Sequence, residues 1–467
     1  MSKPFYEAFD KKKKSNKFSV DDAELMEEGS HVHHAAKKRP QNNDKIYKGN
    51  HIQTTEKRTT RSLPQTYRQK DYIEPAFRVY KTEPPCGVFG SCGGCQLQHL
   101  TYEGQLKYKQ GKIEKLLGPF GKVSPIIGME TPDHYRNKVH ATFSYDKKGK
   151  IVAGIYEEDS HRVIPVNNCL IQNQQANQII QTIRKLMPSF KLTPYDEDYS
   201  TGFLRHVLIR TGHVSKQVMV VLVGGTPIFP SKNNFTKALV KEHPEITTVI
   251  FNVNPRRTSM VLGDRETVLY GKGYIEDTLC GKTFRLSSKS FYQVNSVQTE
   301  KLYKKALDMA NLKGHENVLD AYCGIGTIGI IASDRAGEVI GVELNKEAVN
   351  DAVLNAKANK ADNIKFYQGD AGDFMLEMVE EGEQLDVVIL DPPRNGSDEQ
   401  FLSSLIKLSP PTVVYISCGP ESLARDLKVL VNGGYKVKKM VPVDMFPWTE
   451  HVEAIILMTR SGSGDKK

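Results

Sequence analysis

Cys418 closes the apolar run VVYIS and is followed by Gly419 and Pro420. A strand that stops there and yields to a helix near Glu421 holds the thiol at the carboxyl edge of a sheet, where open α/β sheets bind their ligands. A helix N-terminus beside it favours the thiolate, the form of cysteine that attacks carbon. Glu453, in FPWTEHVEAIILM, immediately precedes an apolar final run. Burial there raises a carboxyl pKa towards the range of a general base. A thiol that adds to a substrate and a carboxylate that then removes a proton from it form a working pair. His451 is the competing base, and it shares a face with Glu453 only if the stretch is extended.

A second group of residues reads as a cofactor site. VLDAYCGIGTIGI places a strand, a Gly-rich turn and the start of a helix in order, and Gly324 and Gly326 let the backbone pass close to a ligand. Glu343 closes the next strand, VIGVEL, about twenty residues later, where a carboxylate accepts both ribose hydroxyls. Asp370 ends KFYQGD, a place to meet an adenine amino group, and the fourth run ends in DPPR. A nicotinamide dinucleotide explains the first two strands but neither DPPR nor a cysteine ending the fifth, so S-adenosylmethionine is the better cofactor. Asp391 of DPPR then stands beside the methionine part of the cofactor and orients the substrate ring, and Arg394 pairs with a phosphate or a carboxylate. Cys323, inside the Gly-rich turn, reads as packing.

The remaining cysteines form another pattern. Cys86, Cys92 and Cys95 are spaced C-x5-C-x2-C within PCGVFGSCGGCQLQH, and Cys169 in PVNNCLIQ is a distant fourth ligand. Four thiolates hold either zinc or a [4Fe-4S] cluster, and the spacing does not choose between them. Seven cysteines in a chain without an export signal argue against a disulfide framework.

The elements that must position these groups fall into two unlike halves. At 467 residues the chain is too long for one core. Residues 1–80 are polar and basic, with few aliphatics at any period, and read as a mostly disordered arm able to brush RNA. Residues 81–280 form a central unit. It holds the cysteine loop, a helix from about Tyr102 to Leu117, a helix from about Asn173 to Leu186, and runs such as VHATFSYD, RHVLIRTG and QVMVVLVGG that suit a mainly antiparallel sheet. Residues 281–461 alternate strands and helices, which predicts an α/β, doubly wound parallel sheet. A net charge of +9 favours a polyanionic partner. No run of about 18 apolar residues is present to span a bilayer and the N-terminus lacks a secretory run, so a cytoplasmic protein is expected.

Taken together, the stretches CGVFGSCGGCQLQH, HYRNKVH, LRHVLIR, FYQVN, DAYCGIGTIG, GVELNKEAV, DPPR, YISC and VDMFPWTEHVE resemble the RNA uracil-5-methyltransferases over roughly residues 84 to 458. The family includes bacterial 23S rRNA and tRNA T-loop enzymes. The resemblance implies a class I, Rossmann-like catalytic domain and methyl transfer to C5 of a uridine through a Cys418–C6 adduct. It also implies Glu453 as the proton-abstracting base, and an S-adenosylmethionine site of Gln293, Tyr322, Thr327, Glu343, Asp370 and Asp391. For Cys86, Cys92, Cys95 and Cys169 it implies a [4Fe-4S] cluster, and for the helix near residues 100–120 packing on the catalytic domain. RNA is the implied partner, with 23S rRNA preferred and tRNA the alternative, and no obligate protein partner is implied. The small β-barrel that opens many ribosomal members has no counterpart pattern in residues 1–80. Two rival readings are a small-molecule methyltransferase and a non-catalytic iron-sulfur RNA-binding protein. The basic arm and large central unit weigh against the first, and the presence of Cys418 with Glu453 against the second.

Overall fold

The computed structural model describes residues 17–18, 75–157, 160–258 and 260–460. Most of the arm expected over residues 1–80 lies outside them. Lys17–Phe18 forms a short strand, β1. Helix α1, Tyr102–Leu117, is capped by Thr101, whose hydroxyl accepts the N–H of Gly104 and so satisfies one of the orphan donors of the first turn.

The strand-rich region builds a seven-stranded sheet from β2 (Lys138–Tyr145), β3 (Ile151–Tyr156), β4 (Val163–Pro165), β5 (Leu204–Thr211), β6 (Val218–Gly224), β7 (Ile246–Val253) and β8 (Arg265–Tyr270). The order is β4-β3-β2-β5-β6-β7-β8, antiparallel except where β6 runs parallel to β7. Every residue of β5 and β6 is buried, which is why both read as unbroken apolar runs. Helices α2 (Gln174–Leu186) and α3 (Lys232–Glu242) cover one face. On the other face Leu208, Met219, Val221, Val223 and Ile250 join the core of the C-terminal half.

That half begins with a hairpin, β9 (Ile275–Leu279) and β10 (Lys282–Leu286), and helix α4 (Ser296–Ala310). Five parallel strands follow: β11 (Asn317–Ala321), β12 (Glu338–Glu343), β13 (Ile364–Gln368), β14 (Val387–Leu390) and β15 (Thr412–Ser417). Helices α5 (Thr327–Ala332), α6 (Lys346–Ala358), α7 (Ala371–Glu381), α8 (Glu399–Leu408) and α9 (Pro420–Asn432) connect or follow them. Strands β16 (Lys436–Val443) and β17 (Glu453–Thr459) complete the order β1-β13-β12-β11-β14-β15-β17-β16, with β17 antiparallel to both neighbours. The expected doubly wound α/β sheet is therefore present beside a mainly antiparallel one. Strand order reverses at β11, and the crevice where β12 and β14 diverge is the place for a ligand.

Helix α1 packs on the C-terminal half, with Ile113 and Leu117 in one apolar cluster with Leu423, Leu427 and Met440. Its Lys109 ammonium donates to Asp444 at 2.6 Å, both side chains fully buried, and to the Phe446 carbonyl at 3.0 Å. The Tyr102 hydroxyl donates to the other oxygen of Asp444 at 2.9 Å. The hairpin is held to α6, where the Asn355 and Asn359 side chains accept the N–H groups of Arg285 and Thr283 at 2.7 and 2.9 Å. Among the described residues no helix is long and apolar enough to cross a membrane.

Breaking a buried pair leaves one charge uncompensated. Lys109→Met is therefore expected to lower unfolding free energy by ~3–5 kcal/mol in urea titration, and adding Asp444→Leu to recover much of it. A single variant as stable as the wild type would contradict this role of the pair.

Candidate active site

A cavity of about 750 Å³ opens at the carboxyl ends of the parallel strands. Gln293, Tyr322, Thr327, Glu343, Asp370, Asp391, Cys418 and Glu453 all line it, although they come from seven separate segments of the sequence. The turn after β11 explains part of this convergence. Tyr322, Gly324 and Gly326 have φ of 64°, 57° and 80°, a region that glycine enters freely and tyrosine seldom does. A Cβ on Gly326 would lie 2.9 Å from the Phe366 ring, so only glycine fits there. Glu343 ties this turn to the next strand, accepting the N–H of Gly324 at 3.1 Å on one oxygen and that of Asn345 at 2.8 Å on the other. Its carboxylate retains lone pairs for two further donors.

Asp370 is exposed and caps α7, one oxygen accepting the N–H groups of Gly372 and Asp373 at 2.8 and 3.3 Å. The Gln293 amide donates to Asp391 at 3.4 Å. Thr327 Oγ1 lies 3.4 Å from the Tyr303 hydroxyl, a buried cavity residue that the sequence pattern did not single out. Asp320 was missed as well. It is buried behind the Gly-rich turn, accepts the Gly329 N–H at 2.7 Å, and is pushed up to about 8 by burial. The Asp in VLDAYCG carries no period or spacing that would have drawn attention to it.

At the other end of the cavity three acids face one another. Burial, with Asp391 adding to it, drives the Glu453 carboxyl well above the usual range, and one of its oxygens has no hydrogen-bond partner. Burial pushes Asp391 up to about 7 against the opposing bond from Gln293. Burial and then the carboxylates of Glu453 and Asp391 push the Cys418 thiol up to about 11, while Arg394 acts the other way. This corrects the expectation of a favoured thiolate. α9 does begin just beyond, at Pro420, but withdrawal from water and two nearby acids outweigh its positive end. His451 lines a neighbouring groove of about 580 Å³ with Lys112, Arg394, Arg425 and Cys418, and is not part of the first cavity. Burial followed by Arg394 and Lys112 lowers its pKa to about 4. Cys418 and Arg394 stand where the two cavities meet.

The four cysteines of the proposed ligand set are mutual neighbours. Burial and the thiols of Cys169, Cys92 and Cys86 push Cys95 up to about 12, against a bond from Gln98. Cys169 is raised by burial and by Cys92 and Cys86. Gly90 and Gly93, with φ of 84° and 66°, turn the loop that carries the first three. Among the described residues no group of three or more His, Cys, Asp or Glu side chains is drawn together closely enough to hold a metal ion.

The family model described as tRNA (Uracil-5-)-methyltransferase matches residues 101–461. The chain belongs to this family. Within the uracil-5-methyltransferases it is similar to uncharacterized RNA methyltransferases of Halalkalibacterium halodurans and Clostridium tetani. The first is 43% identical over 81% of this chain and 83% of the relative. The second is 43% identical over 83% and 84%. Its structure is similar to that of Pyrococcus abyssi tRNA (uracil-54, C5)-methyltransferase in complex with S-adenosyl-L-homocysteine, with a TM-score of 0.68, 28% identity, and coverage of 79% of this chain and 86% of that one. The family match begins beyond Cys86, Cys92 and Cys95 but includes Cys169. This RNA methyltransferase therefore carries its cysteine-rich loop outside the region that defines its family.

Because Glu453 raises the Cys418 thiol, Glu453→Gln is expected to lower that pKa. Iodoacetamide labelling of Cys418 at pH 8, followed by peptide mass spectrometry, should quicken by ~10-fold for each pKa unit lost. Unchanged or slower labelling would mean that the two side chains do not interact.

Proposed function

We propose that this chain transfers a methyl group from S-adenosylmethionine to C5 of a uridine in RNA, 23S rRNA in the first reading, with Cys418 as covalent nucleophile and Glu453 as base. The observation that carries this reading is the meeting of Cys418, Asp391 and Glu453 in the same cavity as the Gly-rich turn and Glu343.

The cavity walls suit the cofactor. Glu343 has lone pairs for ribose hydroxyls, Asp370 has an oxygen free of its capping bonds for an adenine amino group, and Gly324 leaves open space above the turn. We assign Gln293, Tyr322, Thr327 and Asp391 to the same site. When bound, the cofactor supplies an electrophilic methyl group. As the Cys418 sulfur bonds to C6 of uracil, its thiol proton passes to the neighbouring Asp391 carboxylate and the C5–C6 π electrons move towards C4 and its oxygen, which makes C5 the nucleophile. Asp391, whose proton affinity burial raises, donates to the uracil edge where that charge collects. Once C5 carries the methyl group, Glu453 as carboxylate takes the C5 proton, the C5–C6 double bond re-forms and Cys418 leaves. Arg394 and Lys112 line the adjoining groove and are suited to a phosphate of the target nucleotide, which must be flipped from its stack to reach Cys418.

Cys86, Cys92, Cys95 and Cys169 are assigned to a [4Fe-4S] cluster. The four thiols lie near enough to act on one another, and Gly90 and Gly93 turn the loop that carries three of them. When bound, the cluster would tie this loop to Cys169. Residues 81–280 are taken as the RNA-gripping unit and 281–461 as the catalytic unit, with α1 contributing to the latter by packing. We place the enzyme in the cytoplasm.

A tRNA uridine is the second reading, favoured by the Pyrococcus abyssi likeness. Mass-spectrometric mapping of 5-methyluridine in cells lacking the gene separates the two. Loss of one 23S rRNA mark, restored by wild type and by neither Cys418→Ala nor Glu453→Gln, is expected. Loss of the T-loop mark instead transfers the substrate to tRNA, and no missing mark overturns the catalytic reading.

A further inference from the structure

The segment Met445–Thr449 between β16 and β17 touches both the cysteine loop and the catalytic cavity. Trp448, the chain's one tryptophan, has φ of 70°, a backbone conformation in which a bulky residue needs support. The support comes from outside the catalytic unit. The Trp448 carbonyl accepts the N–H groups of Gln96 and Leu97 at 3.1 and 3.0 Å, immediately after Cys95. Its own N–H donates to the Gln105 side chain at 2.9 Å, and its indole N–H donates to Asp133 at 2.8 Å. The indole, Cys95 and Cys169 flank the same small apolar cluster of Met129, Tyr135 and Ile171. On the cavity side, Phe446 within this stretch and Glu453, the first residue of β17 just beyond it, are wall residues. The Tyr135 hydroxyl donates to Pro447 O at 3.0 Å, and Asn295 donates to Met445 O at 3.0 Å.

We infer that Trp448 is a positioning residue through which the cysteine loop sets the placement of Glu453 for proton abstraction. The inference rests on the reading of Glu453 as base and of the four thiols as one ligand set. With the thiols tied together, Gln96 and Leu97 stay where they hold Trp448 in its left-handed turn, and the entry to β17 is fixed. With the tie undone, the turn relaxes and Glu453 loses its aim at the C5 proton, while Cys418, on the separate strand end of β15, keeps its own. The step that suffers is the last one, breaking of the C5–H and Cys418–C6 bonds. The methylated enzyme–RNA adduct then accumulates.

The experiment compares the full-length holoenzyme as wild type, Glu453→Gln, Trp448→Ala and Trp448→Phe with full-length Cys95→Ser, in which one proposed ligand is removed, each incubated with methyl-labelled cofactor and uridine RNA and run on a denaturing gel. Trp448→Ala and Cys95→Ser are expected to lower kcat by ~10- to 100-fold, the scale of a misplaced catalytic group, with KM for RNA little changed and the labelled adduct trapped as in Glu453→Gln. Trp448→Phe, which keeps an aromatic against the same cluster, should release the adduct again. In Cys95→Ser, where Trp448 is intact, its emission should shift on loss of the tie. Should Glu453→Gln trap no adduct, the assignment of the base fails. Should Glu453→Gln trap it while Trp448→Ala turns over normally, or merely lowers Tm without trapping, the positioning role is overturned. Trapping by Trp448→Ala with unaltered emission and turnover in Cys95→Ser would remove the cysteine loop from the link.

Discussion

Three acids withdrawn from water at one point govern this structure. Cys418, Asp391 and Glu453 each have a proton affinity raised by burial, Asp391 adds to that of Glu453, and both carboxyls add to that of Cys418. Their association is unfavourable for folding, since every one of them is more comfortable in water. It persists because the surrounding chain fixes each group separately. Cys418 follows a fully hydrogen-bonded central strand, Asp391 ends its neighbour, and Glu453 opens an antiparallel strand paired on both sides. Arg394 acts against the rise at Cys418 and at Glu453.

The N-terminal elements contribute to the same end. Helix α1 reaches into the C-terminal half with Lys109, and its target, Asp444, lies at the start of the loop that leads to Glu453. The Tyr102 hydroxyl grips the same carboxylate. The catalytic unit is therefore not self-contained in sequence. Residues more than three hundred positions earlier hold the loop that leads to Glu453.

Much of this was legible in the sequence where local rules apply. The Tyr102–Leu117 helix has apolar residues at helical spacing and a capping threonine, and the structure ends it at the same residue. The five parallel strands were readable as apolar runs, and strand ends marked the cavity residues because a doubly wound sheet gathers its ligands there. Elements with weaker patterns were not found. Helix α3 begins at Ser231 without a side-chain cap, and β16 alternates lysines with apolar residues at the sheet edge. The pKa of Cys418 was read in the wrong direction for a related reason. The helix start beside it is visible in sequence, whereas the carboxylates that oppose it come from strands far away in the chain. Gln293 came from family resemblance, since its partner Asp391 is 98 residues distant and no periodicity connects them. Trp448 had no signal at all until its left-handed backbone and its bonds to Gln96 and Leu97 were seen.

The central claim is that Cys418 bonds to the base it methylates. Incubating the wild-type enzyme with S-adenosylmethionine and RNA carrying 5-fluorouridine, in which no C5 proton can be removed after methylation, tests it in one step. The account predicts a stable protein–RNA adduct whose tryptic digest shows a methylated fluorouridine nucleotide on the peptide containing Cys418. An adduct on Cys323 or another cysteine, or complete absence of adduct under conditions where uridine RNA is methylated, would contradict it.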